Sequence, residues 1–205
     1  MSQTLGRPSL TVAMAGMPLP PAVAAKVTYV VVQQLLGLPA AAEIDLAVAE
    51  ADLLDIVAKG RTITLRVGDE TLFDGRIEAV TYSQDVARGQ VLQLRAHDAL
   101  SSARRRCAMV ARENASSATL GAEIAGRLGL DFRCDADPAI RPLLFQTGQS
   151  ELDLLVRVAA EDGLYPVVTA GTLRLTSLEG WGTPLTLRLG RGCTDCASAA
   201  RTRRP

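Results

Sequence analysis

The sequence predicts an α+β chain. A small antiparallel β-barrel is expected over residues 1–98, an α+β module of helices and a β-hairpin over 99–190, and a disordered tail over 191–205. Three observations carry this. Before Asp98, apolar residues alternate with polar ones at period two, the signature of half-buried strands. After Asp98 they recur at one-turn spacing. After Arg191 the apolar pattern stops.

The strands come first. Leu10, Val12 and Met14 alternate with Thr11 and Ala13, and the prolines at 18, 20 and 21 end this strand because they cannot donate to a ladder. Lys26–Gln34 is rich in β-branched residues, which suit strands. Ile44, Leu46 and Val48 make a third alternation. Glu50–Ala58 reads as a short helix or turn capped by Gly60. Arg61–Val67 and Thr71–Asp74 flank the turn Gly68-Asp69-Glu70. Gly75 signals a bulge or a close backbone approach. Ile77–Tyr82 and Val91–His97 complete seven strands, a number and spacing that suggest a closed or nearly closed barrel.

The period then changes. Asp98 is placed to cap a short helix, Ala99–Arg106, with Arg104, Arg105 and Arg106 at the end where cations favour the dipole. Ser116 or Ser117 caps a second helix, which shows Leu120, Ile124 and Leu128 and stops at Gly129. Ser150 opens a third helix with Leu152, Leu155, Val156 and Ala159 on one face, ending at Gly163. Asp153 and Arg157 lie four apart on that helix and can pair. Tyr165–Ala170 and Leu173–Ser177 form a hairpin, and Leu185, Leu187 and Leu189 a further strand. The tail from Arg191 has four Arg against one Asp and no apolar periodicity.

Composition narrows the function. The 205 residues carry 22 Lys+Arg against 22 Asp+Glu, which argues against nucleic-acid binding, and aromatics are only 3%. No segment is apolar enough to span a membrane, and the first residues do not read as a signal peptide. Synthesis in the cytoplasm is therefore expected. The single histidine, His97, excludes every two-histidine mechanism. His97-Asp98 sits at a strand end, where neighbours face opposite ways, so Asp98 reads as a cap rather than half of an acid–base pair. Cys193 and Cys196 have metal-ligand spacing, but Cys107 and Cys134 do not form a second pair, and no metal site is expected. Gly148-Gln149-Ser150 lacks the second glycine of a nucleophile elbow, so Ser150 reads as a helix cap. The three consecutive arginines read as a solvated helix end or a protein interface. No catalytic residue and no cofactor site emerges, and the residues describe a chain that binds or assembles.

The segment 146–165, QTGQSELDLLVRVAAEDGLY, resembles the Q-x-x-E-S-D-x-D-F-x-x-R-L-x-E-E-x-G motif of phage tail hub proteins, the late-control gene D family and the related VgrG spike proteins of type VI secretion. Gln146, Ser150, Asp153, Arg157, Glu161 and Gly163 match; Gln149, Glu151 and Leu154 depart from it. The pieces Leu72–Ile77, Leu94–Leu100 and Ser117–Leu130 agree in order, so the resemblance covers about residues 8–190. It implies a homotrimeric baseplate hub of a contractile tail or injection machine, joining the tail tube protein to the spike protein, with the six motif residues structural. It also implies a second barrel, which would begin near Gly190; the loss of pattern at Arg191 points to a truncated or frame-shifted hub over one completed by a separate chain or one assembled differently. The alternatives are a cell-wall hydrolase of the same machinery and a stand-alone ligand-binding barrel.

Overall fold

The computed structural model describes residues 9–47, 57–85 and 89–178, together with the backbone of the strand pair Arg188–Leu189 and Gly192–Cys193. The chain is α+β, with mostly antiparallel sheets and few helices. The segment expected to be helical before Val57, the strand expected through Leu185 and Leu187, and most of the expected tail lie outside the described residues.

Seven strands form one sheet in the order β2-β1-β5-β6-β7-β4-β3. They are β1 (Leu10–Met14), β2 (Met17–Pro18), β3 (Val27–Gln33), β4 (Ala41–Ala47), β5 (Thr62–Val67), β6 (Glu70–Asp85) and β7 (Gly89–His97). Of the closed or nearly closed barrel expected, full closure is not found: no ladder joins β2 to β3 among the described residues. The short helix α1 (Pro21–Ala24) leads from one edge to the other, and its Val23 is buried in the same core. Pro18 ends the β2 edge because it cannot donate. The count of seven also differs in makeup. The two strands expected around Gly75 are one continuous β6, and β2 is additional.

The inner face of the sheet carries Val12, Met14, Ile44, Leu46, Ile63, Leu65, Phe73, Ile77, Leu92 and Leu94, all buried in one cluster. Gly75 is where backbones meet. A Cβ there would lie 2.3 Å from the His97 carbonyl oxygen. The bulges fall to either side of it: Leu72 has no residue opposite it on β5, and Glu78 none on β7.

A second buried cluster spans Leu100 to Leu175. It is built from α2 (Leu100–Arg105), β8 (Cys107–Ala115), α3 (Ser117–Leu128), β9 (Asp131–Cys134), β10 (Arg141–Ser150), α4 (Glu151–Glu161), β11 (Leu164–Thr169) and β12 (Thr172–Ser177). β8 and β10 form an antiparallel ribbon, and β11-β12-β9 a three-stranded sheet with β9 parallel to β12. Neither the ribbon nor β9 is evident in the sequence. The turn between β11 and β12 places Ala170 and Gly171 both at positive φ, which suits a tight two-residue hairpin.

Candidate functional site

The strand–turn–helix of β10 and α4 holds five of the six motif residues, and Gly163 follows two residues past the end of α4. Gln146 is buried and donates through Nε2 to the Gln149 carbonyl at 3.0 Å. Gln149 in turn accepts from the Thr147 N–H at 2.9 Å, so the two glutamines tie the turn across Gly148. Ser150 caps α4 as the sequence indicates, accepting from the Asp153 N–H at 3.0 Å. Its hydroxyl donates to Asp153 Oδ2 at 2.6 Å. This corrects the expected Asp153–Arg157 pair. Asp153 is engaged by the cap, and Arg157 lies 3.8 Å from Glu161, one turn on. Gly163 adopts a left-handed φ of 72° just past the helix end.

The motif helix is enclosed. Leu152, Leu155 and Ala159 are buried as expected, Val156 is half-buried, and Leu154 and Val158 are buried too. Two ion-pair networks flank it. Glu151, nearly wholly buried, takes Arg106 at 3.1 Å and Arg127 at 2.6 Å. Arg127 and Arg112 both hold Glu123, and the hydrogen bond from Arg112 keeps the Glu123 carboxyl below its ordinary range. On the other side Arg141 binds Glu161 at 3.0 Å and Asp162 at 3.2 Å, and Ser117 donates to Asp162 at 2.8 Å. Burial would raise the Asp162 carboxyl, but Arg141 and Ser117 outweigh it and lower it.

A third cluster joins the sheet to the helices. Glu78, the bulge residue of β6, accepts from the Ser101 hydroxyl at 2.7 Å and from Arg105, and lies 3.1 Å from His97 Nδ1. That last contact is off the hydrogen-bond direction, since His97 Nδ1 has no hydrogen-bond partner. Burial opposes the charge on Glu78, yet Ser101, Arg105 and His97 hold its carboxyl below the usual value. Asp98 faces elsewhere. Its carboxylate accepts from the Ala40 N–H and the Leu100 N–H, each at 3.0 Å, and so, from one residue before the N-cap Ala99, holds the first N–H of α2 and pins the entry to β4. Burial pushes its pKa up to about 6. Gly37 N–H donates to the Pro166 carbonyl at 3.1 Å, a further tie between the two parts.

This chemistry orients and clasps. The expected solvated arginines are partly corrected: Arg105 and Arg106 are held by Glu78 and Glu151, and Arg104 alone is without a partner among the described residues. The motif residues meet backbone groups, one another and, through Gln146 and Glu161, the side chains of Arg112 and Arg141, and none lines the cleft of about 910 Å³ between the sheet and the helices. Sequence reasoning missed the ion pairing of Glu78, Glu123, Glu151, Arg112 and Arg141. Only the i,i+4 spacing of Glu123 and Arg127 offered a signal. No cluster of three or more metal-ligating side chains occurs among the described residues, and no helix among them is long and apolar enough to cross a membrane. Cys193 is described only as backbone, and Cys196 lies outside the described residues.

Sequence comparison finds no matching protein family and no matching curated protein. The fold is that of tail proteins. It is similar to a tail protein from Neisseria meningitidis (TM-score 0.68, 13% identity, 90% of this chain and 56% of that one). It is similar to the 43 kDa tail protein of prophage MuSo2 from Shewanella oneidensis (0.66, 14%, 82% and 52%). An Escherichia coli component of the type VI secretion system, described as structurally similar to the T4 tail proteins gp27 and gp5, also matches (0.59, 14%, 87% and 52%). The chain spans about half the length of these structures.

Proposed function

We propose that the chain is a structural component of a contractile phage tail or phage-like injection machine, acting in the baseplate hub between the inner tube and the spike. The observation that carries this is the extent of the fold match, 82–90% of the chain, which takes in the sheet and the helical module together. The late-control gene D and VgrG-type reading, the homotrimer, the tube and spike partners and a place in the virion tail or injection-system baseplate belong to this proposal. So does the division into a sheet unit over 1–98 and a module over 99–190, which the two separate buried clusters support. The motif residues serve as structural fixings of α4, and the function is not enzymatic.

The test is genetic and structural. Deleting the gene from its host should abolish complete baseplates in electron micrographs, and the tagged protein should label the tube–spike junction. Intact particles without it overturn the reading. Purified protein should leave labelled peptidoglycan insoluble. Solubilisation that disappears in Ser150→Ala or Asp153→Ala with folding unchanged identifies a hydrolase instead.

A further inference from the structure

We infer that the cleft between the sheet and the helical module is a receptor for an extended peptide from a partner chain, which adds as a strand to the open side of β6. The argument starts from register. β6 begins at Glu70, but β7 meets it only from Arg76, opposite His97. Residues 70–75 therefore pair with β5 on one side and have no strand on the other among the described residues. β7 does not extend to cover them, because the chain turns at Asp98, whose carboxylate is fixed to the Ala40 and Leu100 N–H groups. Ile77 exchanges main-chain bonds with Gly60 and Arg61 on the β5 side. Alternation along the strand then turns the main-chain groups of Asp74 toward the open side, and past the bulge the Leu72 carbonyl is reached from that side by Gln34.

One of those groups already has a substitute partner. The Gln34 side chain donates to the Leu72 carbonyl at 2.7 Å, filling a position that a neighbouring strand would occupy. The space beside this edge is the cleft of about 910 Å³, and Leu72, Asp74 and Gln34 line it. Its far wall carries half-buried Leu128, Leu130 and Val168, which offer apolar contact to alternate side chains of an added strand. Charge selects further. Arg105 and Arg127 are neutralised by Glu78, Glu123 and Glu151, and the Asp98 carboxylate is turned onto backbone N–H groups. Among the described residues Arg76 and Lys59 face the cleft with no carboxylate paired to them, against the one Asp74 carboxylate, which accepts from the Thr64 hydroxyl at 3.0 Å. The ligand is thus an extended segment of alternating apolar residues with an acidic side chain. This inference does not depend on the tail reading.

The probe is a blocked hexapeptide alternating valine and threonine, with one threonine replaced by aspartate, bound to the full-length protein. Two derivatives carry N-methyl groups on alternate amides, one set in each register. Saturable binding is expected, lost in one methylated register and retained in the other, with slowed hydrogen exchange at the Asp74 amide. Gln34→Ala, at an exposed position, frees the Leu72 carbonyl and should tighten binding roughly two- to tenfold, the worth of one hydrogen bond. The inference is overturned by absence of saturable binding at millimolar peptide, by equal binding of both methylated registers, or by unchanged affinity in Gln34→Ala. Self-association of the protein that the peptide dissolves would give the site to a second copy and overturn the partner-chain reading.

Discussion

Replacing Gly75 by alanine should loosen the point where β7 joins β6. A Cβ at Gly75 lies 2.3 Å from the His97 carbonyl oxygen, 2.8 Å from its carbon and 2.6 Å from the Phe73 ring. A comfortable C···O contact is about 3.3 Å, so the backbones must part by about 1 Å. Phe73 can adjust only within a filled core, where it is buried. The His97 carbonyl cannot turn away, because Asp98 next to it is held at both carboxylate oxygens. Overpacking of this kind costs about 1–3 kcal/mol, and a backbone obstacle places it at the upper end. The lost flexibility of the unfolded chain returns about 0.4–1 kcal/mol, leaving a net loss of about 2 kcal/mol. Gly126→Ala is the control. It sits inside α3 with nothing within 4 Å of its Cβ, and should stabilise by about 0.5–1 kcal/mol. Urea denaturation followed by circular dichroism measures both. A Gly75→Ala midpoint at or above that of the wild type refutes the close-approach argument.

Three further outcomes are expected. Ser150→Ala should cost about 0.5–2 kcal/mol in denaturant titration, since it removes the cap on α4; an unchanged midpoint would show that the cap contributes nothing. Leu154→Ala, at a fully buried position, should cost about 2–5 kcal/mol in the same assay, and a loss under about 1 kcal/mol would contradict the enclosed helix. Asp98 makes stability depend on pH. Its folded pKa of about 6 lies above the ordinary aspartate value of 3.8, so the folded state binds the proton more tightly, and stability contributed below pH 4 is lost as pH rises toward 6, by about 3 kcal/mol. Asp98→Asn should flatten that slope, and equal slopes in both proteins would refute it.

The fold is legible where burial follows strand or helix periodicity. Ile63, Leu65, Ile77 and Leu94 are buried as the alternation indicates, Val67 is half-buried at a strand end, and Val91 is buried on the opposite face of β7 from Leu92 and Leu94, outside their cluster. The glycine stops at 129 and 163 fall where the helices end. β8 escapes because its polarity is reversed. Met109 is 87% exposed on one face of the ribbon, while Arg112 on the other reaches inward to Glu123. β10 escapes because Pro142 and Thr147-Gly148-Gln149 read as loop, and β9 because four residues are too few to show a period. Closure of the sheet is a matter of where two edges end in space, and neither edge strand's composition records it.

The candidate site divides along the same line. Capping is local in sequence, so Ser150 and its partner three residues on are readable from the residues alone. Ion pairs between distant elements are not. Glu78 reaches Arg105 across 27 residues, and Arg141 reaches Glu161 across 20. Both distant carboxylates sit where the backbone departs from regularity, Glu78 at a bulge and Glu161 at a helix end. A bulge re-aims the side chain that it carries. In Glu78 that re-aiming converts a surface acid of the sheet into the residue that holds α2. The motif and the ion pairs thus do one job, fixing α4 and α2 in place against their neighbours. Such residues resist substitution by apolar ones because partners such as Arg141 and Ser117 would be left without an acceptor.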